Sequence, residues 1–586
     1  MREKSIQRNT IAAGRSSRST RPMGRIRRFL GMAVLLLFVY GFLGWGTASR
    51  TIASLFSRTQ LGPVLLGILE GKGEGAFLVA ILILGSTALF GRWYCAFLCP
   101  LGTAQQIVSP KRMAQGGRLF RYPTLDAGVR YGIVGIVAAL LCGGIVAGWG
   151  INPVGLNLWD PYGLSGRILR DMIFPLLVFL NWLLFHVCRV FDLYVPLLSH
   201  KPDLPVFFAT LLVGGSWIVL SRKRGRVYCG SFCPVGTILG ICSRVSPYRI
   251  QIEPTNCARC GICSRVCPTG ALIQGQDGVV HCDVERCVLC MNCIEACPHG
   301  ALRYGGRDRL LAEIPAGPDP STKPVPETSK IFPISPLASP VPLDSRAPLH
   351  SRREFLTKAI HLSSGLVAYF SLIALGGAVT YGLVPEQFLL RKRSQGPSGK
   401  PNFPSTPPGS LGIERFTSLC ISCHLCVSHC PTGVLSPSLF EYGTKGLFQP
   451  VMDYKRGFCE YECTQCGEVC PTGAILPLTV EAKKTVQIGR VKFEEERCVV
   501  VTQGTVCGAC AEVCPTHAVG MVPYRNGTDI PAIDNALCVG CGSCEHACPV
   551  PRKAIFVEGL AVHGTAEVRK PLHTLPRELA KKEFPF

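Results

Sequence analysis

Long apolar stretches separated by short basic ones occupy the first half of the chain. Four such stretches run from Phe29 to Ala48, Ala76 to Phe90, Tyr131 to Trp149 and Leu204 to Leu220. A helix of about 20 apolar residues crosses the roughly 30 Å hydrocarbon core of a bilayer. The second stretch is shorter, but the aromatic residues of the GRWY that follows it suit the membrane interface. The pattern predicts an α-helical membrane domain over residues 29–250.

Basic residues flank these stretches on one side of the predicted membrane. RPMGRIRR precedes the first stretch, SRKRGR follows the fourth, and the loop after the second contains Lys111, Arg112, Arg118 and Arg121. An excess of Lys and Arg is typical of cytoplasmic loops, so we expect residues 1–28 in the cytoplasm. A further apolar stretch, Met172 to Val190, would reverse this order if it crossed the membrane. We therefore interpret it as re-entrant or interfacial.

The composition agrees with a membrane protein, and its high Cys content needs a separate explanation. Only 17% of the residues are charged and the mean hydropathy is +0.29, both unusual for a soluble chain of 586 residues. The net charge of +23 lies mostly beside the apolar stretches, which argues against nucleic-acid binding. Most of the 32 Cys stand in tight runs. Such runs favour a metal cage over disulfides, because neighbouring Cys cannot all reach distant partners.

Two runs in the middle of the chain, CARCGICSRVCP and CVLCMNCIEACP, follow the pattern C-x-x-C-x-x-C-x-x-x-C-P. In a two-cluster ferredoxin the first three Cys of such a run bind one cubane, and the Cys before Pro binds the other. Zinc sites use separated Cys pairs instead. Crosswise ligation would give one [4Fe-4S] cluster to Cys257, Cys260, Cys263 and Cys297, and a second to Cys287, Cys290, Cys293 and Cys267. Cys282, outside the runs, is expected to be a spare buried thiol.

Four more runs towards the C-terminus predict four more clusters, or six in the whole chain. Their Cys are Cys420, Cys423, Cys426 and Cys430; Cys459, Cys463, Cys466 and Cys470; Cys498, Cys507, Cys510 and Cys514; and Cys538, Cys541, Cys544 and Cys548. The second and third of these runs have longer first intervals, which lengthen a loop without removing a ligand. Pairing the first run with the second and the third with the fourth is the simplest assignment. A nested pairing of the first with the fourth stays open.

These patterns predict a chain of three structural classes: an α-helical membrane domain with four to five spans, an α+β ferredoxin-like 2[4Fe-4S] domain, and a C-terminal α+β polyferredoxin domain. Stretches rich in Pro, Gly or Ser without periodicity separate them. The predicted segments are a basic N-terminus (1–28), the membrane domain (29–250), the first ferredoxin domain (251–311), a Pro-rich linker (312–349), a signal and anchor span (350–387), a second linker (388–410) and the polyferredoxin domain (411–586).

A second Cys repeat lies at the predicted inner membrane face, in GRWYCAFLCPLGT (Cys95, Cys99) and GRVYCGSFCPVGT (Cys229, Cys233). Each copy closes a pair of predicted spans, as expected for a duplicated two-helix unit. Cys at positions i and i+4 share one face of a helix, so the copies could present four thiols together. Three interpretations stay open: a further metal centre, a redox-active dithiol, and plain packing of buried Cys.

The middle of the chain contains a predicted export signal, although a basic flank before a further span is the alternative interpretation. In HSRREFLTKAI the twin-arginine pattern S-R-R-x-F-L-x-K is matched by Ser351, Arg352, Arg353, Phe355, Leu356 and Lys358. The apolar stretch from Leu362 to Val384 follows. A domain that holds clusters built in the cytoplasm must cross the membrane already folded, which is the task of this pathway. No clear A-x-A cleavage site follows, so we expect the span to remain as an anchor.

The first 310 or so residues resemble the NapH-type membrane quinol dehydrogenases, through the paired G-R-x-Y-C-x-x-x-C-P-x-G motifs, INPVGL and the eight-Cys ferredoxin. Residues from about 350 onward resemble the NapG/MauM-type exported ferredoxins. The chain thus resembles a natural fusion, in which the internal export signal is the N-terminus of the second protein. The fusion and the segment from Met172 to Leu198 depart from the family pattern.

The resemblance implies a membrane-bound iron–sulfur quinol dehydrogenase in the bacterial inner membrane. Its first ferredoxin domain would be cytoplasmic and its polyferredoxin domain periplasmic. Electrons from quinol in the lipid bilayer would reach a periplasmic reductase, often through a multihaem cytochrome c, and the twin-arginine translocase would be a further partner. The quinone site is expected near the Cys95, Cys99, Cys229 and Cys233 motifs. Alternatives are a CcoG-like metal-handling factor for maturation of a respiratory complex, and reverse electron flow into the quinone pool.

A bilayer core of roughly 30 Å would separate the two sets of clusters. No pair of His residues in the predicted spans offers haem ligands; His186 is alone in its segment. Three routes stay open: a quinone that shuttles across, a relay on the membrane thiols, or separate donors for the two sets. The shuttling quinone is the preferred interpretation.

Overall fold

The described residues form three parts. A computed structural model covers residues 2–44, 46–69, 73–109, 127–146, 154–193, 202–275, 280–306 and 403–568. They comprise a helical region (2–245), a first lobe (248–306) and a second lobe (403–568). The predicted Pro-rich linker (312–349), the predicted signal and anchor span (350–387) and most of the second linker (388–410) lie outside the described residues.

Helices make up almost all of the first part. They are α1 (Arg2–Leu43), α2 (Gly46–Arg58), α3 (Leu61–Leu69), α4 (Gly73–Phe90), α5 (Tyr94–Phe97), α6 (Pro100–Val108), α7 (Ala127–Val146), α8 (Val154–Trp159), α9 (Pro161–Arg167), α10 (Phe174–Val190), α11 (Leu204–Arg224) and α12 (Pro234–Cys242), with π-helical turns at Ile168–Ile173 and Tyr228–Phe232. Large apolar side chains such as Phe29, Leu36 and Leu180 are exposed. Exposed apolar surface of this extent suits contact with lipid.

Three helices in the described residues are long and apolar enough to cross a membrane: Met23–Leu43, Pro161–Val190 and Leu204–Arg224. The bent pair of α2 and α3, whose axes differ by 72°, would make a fourth. Helices α4 and α7 form where the second and third spans were expected; their described apolar parts are Glu74–Phe90 and Arg130–Leu141, and the end of the third predicted stretch, at Trp149, lies outside the described residues. The sequence predicted four to five spans, and the described residues contain three or four helical segments that are long and apolar enough to be spans.

The stretch from Met172 to Val190 differs from the expectation of a re-entrant or interfacial segment. It continues α9 through a π-helical turn into one helical stretch of 30 residues, Pro161–Val190, which is long enough to span. The stretch predicted from Phe29 to Ala48 instead ends as a helix at Leu43, and α2 begins after Gly44 (φ +72). The element broken by a sharp bend is therefore the α2–α3 pair. The sequence did not predict this bend, because hydropathy does not report the angle between two consecutive helices.

The N-terminal ends of α3 and α9 lie next to each other inside the helical region. Gly62, at the start of α3, lies so close to Asp160, the N-cap of α9, that a Cβ at this glycine would come within 2.0 Å of the Asp160 carboxylate. The Tyr94 hydroxyl donates a hydrogen bond to Gln60 (2.9 Å) and accepts one from the backbone N–H of Leu61 (3.3 Å). Polar side chains are thus buried at the level of the first Cys-Pro motif.

The first lobe is built from two small antiparallel sheets and two short helices. Strand β1 (Tyr248–Ile252) pairs with β4 (Leu302–Gly306), and β2 (Leu272–Gln274) pairs with β3 (Val280–Cys282); the helices are α13 (Ile262–Val266) and α14 (Asn292–Ala296). Two-stranded sheets of this size are not stable alone. The lobe therefore needs another source of stability.

The second lobe repeats this plan. Its pairs are β5 (Leu435–Pro437) with β6 (Pro450–Met452), β7 (Val486–Phe493) with β10 (Ile555–Thr565), and β8 (Val519–Pro523) with β9 (Asp529–Ile533). Its helices are α15 (Ile413–Leu419), α16 (Leu425–Ser428), α17 (Gln465–Glu468), α18 (Val480–Thr485), α19 (Val499–Gln503), α20 (Ala509–Glu512) and α21 (Ser543–Ala547). The long β7–β10 pair encloses the β8–β9 hairpin, as β1–β4 encloses β2–β3 in the first lobe.

Helix α1 contacts both lobes, one at each end of its apolar part. Arg28 forms an ion pair with Glu295 of the first lobe (2.7 Å). At the other end Gly44 packs on the carbonyl of Ser428 in the second lobe, where a Cβ would come within 2.4 Å of the oxygen. Sixteen residues separate these contacts, which is about 24 Å of helix.

Helix α11 runs the opposite way between the same lobes. Its N-cap Asp203 pairs with Arg456 of the second lobe (3.3 Å). Just past its C-terminus the backbone N–H of Arg226 donates to the carbonyl of Pro268 in the first lobe (2.6 Å). The two lobes therefore contact opposite ends of the same helices.

Close packing of α9 against the second lobe generates a test. A Cβ at Gly166 would lie 2.2 Å from the carbonyl oxygen of Cys423 and 2.9 Å from the ring of Phe42. We expect Gly166→Ala to weaken this contact by about 1–3 kcal/mol, since overpacking forces backbone shifts. Gly215→Ala is the matched control, because nothing lies within 4 Å of the Cβ position there. Protease release of the second lobe from detergent-solubilised protein should accelerate for the first variant only; equal rates would contradict the packing.

His563 in β10 gives the second lobe a pH dependence. Its Nε2 pairs with the hydroxyl of buried Thr406 (2.8 Å), and burial lowers the pKa of His563 from 6.5 to about 4. Between these values the unfolded chain binds a proton that the folded lobe does not bind, so stability falls as the pH falls from about 6.5 to about 4. We expect His563→Gln to lose less stability than the wild type between pH 7 and pH 5, measured by thermal unfolding. Identical slopes for the two proteins would contradict this account.

Candidate iron–sulfur sites

Turns with positive φ open the Cys runs. Arg259 (φ 52) and Gly261 (φ 67) occupy the first run, and Ser422 (φ 53) and His424 (φ 61) the corresponding places in the second lobe. Residues other than Gly seldom adopt this conformation, so the turns are shaped by something other than local preference. Each turn folds a run back on itself and brings its first three Cys to one side.

The first lobe gathers its eight predicted ligands in two groups of four. One group surrounds a small cavity and consists of Cys257, Cys260, Cys263 and Cys297. The other consists of Cys287, Cys290, Cys293 and Cys267; burial and then the charges of its three partners raise the pKa of Cys293 well above its ordinary value. Each group takes three Cys from one run and the last Cys from the other.

The second lobe contains two more cavities of the same kind. One is lined by Cys459, Cys463, Cys466 and Cys430. The other is lined by Cys498, Cys507, Cys510 and Cys548. These groups join the first run to the second and the third to the fourth. The nested pairing of the first run with the fourth does not match the lining of these two cavities.

The remaining eight Cys of the second lobe complete the pattern. Cys420, Cys423, Cys426 and Cys470 influence one another electrostatically, and so do Cys538, Cys541, Cys544 and Cys514. The backbone N–H of Cys459 donates to the carbonyl of Cys541 (2.8 Å), which connects the two halves of the lobe. The four groups therefore form a row, from Cys423 beside α9 through Cys459 and Cys541 to the group of Cys498.

The donor sets fit [4Fe-4S] clusters. Burial, and after it the charges of Cys423, Cys420 and Cys470, raises the pKa of Cys426 well above its ordinary value. Four buried thiols cannot all ionise beside one another unless a cation binds them, and iron supplies that charge. Backbone N–H groups also point at sulfur, as from Ala271 to Cys267 (3.3 Å). Hydrogen bonds of this kind are part of the ordinary surroundings of iron–sulfur clusters.

The four Cys of the membrane motifs are also brought together. Cys95, Cys99, Cys229 and Cys233 are 4–6% exposed and carry no disulfide. Arg92 joins the two copies, with its guanidinium donating to the carbonyl of Cys229 (2.8 Å) and lying 3.7 Å from the sulfur of Cys95. Within the described ranges, no three His, Cys, Asp or Glu side chains are arranged to hold a single metal ion.

Known iron–sulfur families match all three parts of the chain. A 4Fe-4S dicluster domain matches residues 249–298, and another matches residues 419–474 and 505–551. A family described as a 4Fe-4S binding domain matches residues 75–115 and 206–252, which contain the two membrane Cys motifs. The prediction of several [4Fe-4S] clusters is confirmed.

Ferredoxin-type proteins are similar to about a quarter of the chain. The methylamine utilization ferredoxin-type protein MauM of Methylobacillus flagellatus is 33% identical over 171 residues, which cover 27% of this chain and 71% of that protein. The chain belongs to the MauM family of ferredoxin-type proteins. Two Escherichia coli proteins are also similar: ferredoxin-type protein NapG, 28% identical over 27% of this chain and 71% of its own length, and ferredoxin-type protein NapF, 27% identical over 27% of this chain and 86% of its own length. This MauM-type chain is therefore an iron–sulfur electron-transfer protein.

Several buried polar residues of this MauM-type chain were not assigned a role from the sequence. His424 lies between two Cys of a run, with Nδ1 2.8 Å from the carboxylate of Asp171 and Nε2 2.6 Å from the carbonyl of Phe448. Arg92 and Arg226 were visible in the repeated G-R-x-Y-C motif. The repetition of the motif pointed to these two arginines, but only the structure shows that they are buried against the first lobe.

Crosswise ligation in the second lobe generates a direct test. Cys430 ends the first run but lines the cavity of the second. We expect Cys430→Ala to lower the content by one cluster, about four irons per chain, and to abolish the spectrum of the cluster held by Cys459, Cys463 and Cys466. Cys188→Ala, in α10 and outside every Cys run, is the control and should lose no iron. Loss of the cluster held by Cys420, Cys423 and Cys426 instead, seen by electron paramagnetic resonance, would contradict the assignment.

Proposed function

We propose that the chain is a membrane-bound iron–sulfur quinol dehydrogenase that relays electrons through [4Fe-4S] clusters to a periplasmic acceptor. The 24 Cys of the six runs are the proposed cluster ligands, four to each group described above. The first lobe would lie in the cytoplasm and the second in the periplasm of a bacterium, with the helical region in the inner membrane. In this proposal the chain is a fusion of a NapH-type and a NapG/MauM-type protein.

The contacts of both lobes with opposite ends of α1 and α11 carry this proposal. Along α11 the two contacts, at Asp203 and Arg226, are 23 residues apart, about 35 Å of helix, which is enough to cross a hydrocarbon core of roughly 30 Å. A fully soluble ferredoxin array has no need of such a spacer, whose outer surface is largely apolar. The arrangement suits a protein that connects two aqueous compartments.

Charge supports the orientation. The basic residues Arg222, Lys223 and Arg224 end α11 on the side of the first lobe. The opposite end of the same helix begins with Asp203. Because cytoplasmic flanks of spans carry the excess of Lys and Arg, the first lobe is the cytoplasmic one in this proposal. The twin-arginine sequence after it would then direct the second lobe outward.

Quinol oxidation releases two electrons and two protons and leaves quinone. In the proposed route the clusters carry the electrons one at a time, and the protons leave to water at the site of oxidation. The row of groups in the second lobe leads away from the helices towards the group of Cys498, near the exposed Val506. A periplasmic reductase or a multihaem cytochrome c would accept electrons there. The quinol is expected to bind near the membrane Cys motifs.

Anaerobic membranes that contain the chain provide the test of quinol oxidation. A water-soluble quinol analogue should bleach the broad visible absorbance of the clusters within the mixing time and restore it when a cytochrome c acceptor is added. Membranes with Cys430→Ala, which interrupts the row, should bleach but pass electrons to the acceptor more slowly.

Two other outcomes would contradict the proposal. Absence of bleaching, with clusters that dithionite still reduces, would favour a CcoG-like role in metal handling. Reoxidation of pre-reduced clusters by added quinone, without bleaching by quinol, would show that electrons flow into the quinone pool instead.

A further inference from the structure

One cluster group of the first lobe reaches the protein surface. Of the 24 proposed cluster ligands, which all lie within the described residues, only Cys260 is exposed. The other members of its group, Cys257, Cys263 and Cys297, are buried or half-buried. Electron transfer between proteins slows steeply with distance, so it takes place where a redox centre comes nearest to the surface. The surroundings of Cys260 therefore decide which redox protein this lobe can meet.

The helical region packs against the other cluster group of the first lobe, that of Cys287. Val288 is 1% exposed and belongs to one apolar cluster with Tyr94 of the helical region. Cys290, a further member of that group, packs against the same cluster. The helices therefore cover the surroundings of Cys287, whereas Cys260 stays open to solvent.

A groove between β1 and β3, the β1–β3 groove, begins at the exposed cluster group. It has a volume of about 350 Å³, is open to solvent and has Cys257 in its lining. Much of the lining is apolar, as at Ile252, and the polar side chains in it include those of Arg249, Arg259 and His281. Apolar surface bordered by polar and charged residues is the usual composition of a protein–protein interface.

The acidic residues of the first lobe are paired with arginines. Within the described residues, Glu253 pairs with Arg303 (3.4 Å), Asp283 with Arg286 (3.3 Å), Glu285 with Arg130 (3.4 Å) and Glu295 with Arg28 (2.7 Å). Arg130 and Arg28 belong to the helical region, so two of these carboxylates face the membrane helices. None of the four described carboxylates pairs with Arg249 or Arg265.

Three arginines lie close to the exposed cluster group. Arg259 directly precedes Cys260 in the chain and lines the β1–β3 groove. The Arg265 guanidinium donates to the carbonyl of Cys260 (2.8 Å). Arg249 lines the groove together with Cys257. Because the described carboxylates of the lobe are paired elsewhere, this surface carries a net positive charge.

The distribution of the positive charge favours a protein over a small anion as the partner. A small-molecule site encloses about 70–90% of its ligand, whereas the β1–β3 groove is open. Arg265 is not part of the groove lining, so the charge extends beyond the space that a small anion would occupy. A protein with an acidic surface around its own redox centre would cover the groove and Arg265 together. Charge complementarity of this kind speeds encounter and orients the two proteins.

We propose that the β1–β3 groove, with Arg249, Arg259 and Arg265 around Cys260, binds a small acidic electron-carrier protein. The chain would then exchange electrons with a redox partner in addition to the donor and acceptor of the proposed function. The membrane placement given under the proposed function makes this partner a cytoplasmic one. Docking at this surface does not depend on quinol.

The exchange involves one electron and no change of bonds. The reduced carrier loses one electron, and the cluster of Cys257, Cys260, Cys263 and Cys297 gains it. The carrier then leaves in its oxidised state. The reduced cluster can pass the electron on to the neighbouring cluster of the Cys287 group and so return to its oxidised state.

The rate at which an acidic carrier reduces the full-length protein tests this surface. Reduced plant-type [2Fe–2S] ferredoxin, freed of excess reductant, is mixed without oxygen with the oxidised, detergent-solubilised protein, and the change in absorbance is followed. At low ionic strength we expect Arg249→Glu/Arg265→Glu to react roughly 10-fold to 100-fold more slowly than the wild type, because charge reversal removes the steering. In about 1 M NaCl, where the Debye length is about 3 Å, most of this difference should disappear.

The matched control is Arg525→Glu/Arg552→Glu, which makes the same change of charge at two exposed arginines of the second lobe and should react like the wild type. Unchanged iron content and full reduction by methyl viologen show that the clusters of each variant are intact. If the first double variant loses iron, Arg249→Gln alone should still react several times more slowly. Equal rates for the variants of the two lobes, with intact clusters, would overturn the proposal. Because the protein is solubilised and no quinol is present, failure of the quinol experiment leaves this result unaffected.

Discussion

Bonds between cysteine thiolates and iron are the interaction on which this structure depends. Each lobe has only two-stranded sheets and helices of four to seven residues, too little regular structure to be stable alone. Each cluster group takes thiols from two runs, so iron closes the chain on itself at several points. The cross-linking adds to the hydrophobic packing of residues such as Phe416, Val491 and Ile555 in the second lobe, and metal binding thereby becomes part of folding. A lobe folded in this way must keep its clusters during any transfer across a membrane.

The helical region is stabilised in a different way from the two lobes. There, apolar side chains face outward, and buried polar groups such as Asp160, Tyr94 and Arg92 lie along the inside. The polar groups occur where short helices from the two copies of the repeat meet. Both lobes contact this region, the first through Arg226 and the second through Asp203.

The sequence was most informative where spacing alone determines chemistry. The Cys runs predicted the groups of four, and the simplest pairing of the runs describes cavities such as that of Cys430 with Cys459. The amino-acid sequence was least informative for the helices. Hydropathy could not detect the bend between α2 and α3, and an argument from the parity of spans led to the re-entrant interpretation of Met172 to Val190, which the 30-residue helical stretch does not support. Burial of Arg92 depends on the first lobe, more than 150 residues away in the chain, and no local pattern reports such a contact.

The central claim is that one polypeptide holds clusters on both sides of a membrane. Protease treatment of sealed vesicles of known orientation, followed with antibodies against each lobe, tests it most directly. Inverted vesicles should lose the first lobe and protect the second, and right-side-out vesicles should show the reverse. Digestion of both lobes in the same vesicles, with protection of both in the other kind, would contradict the account.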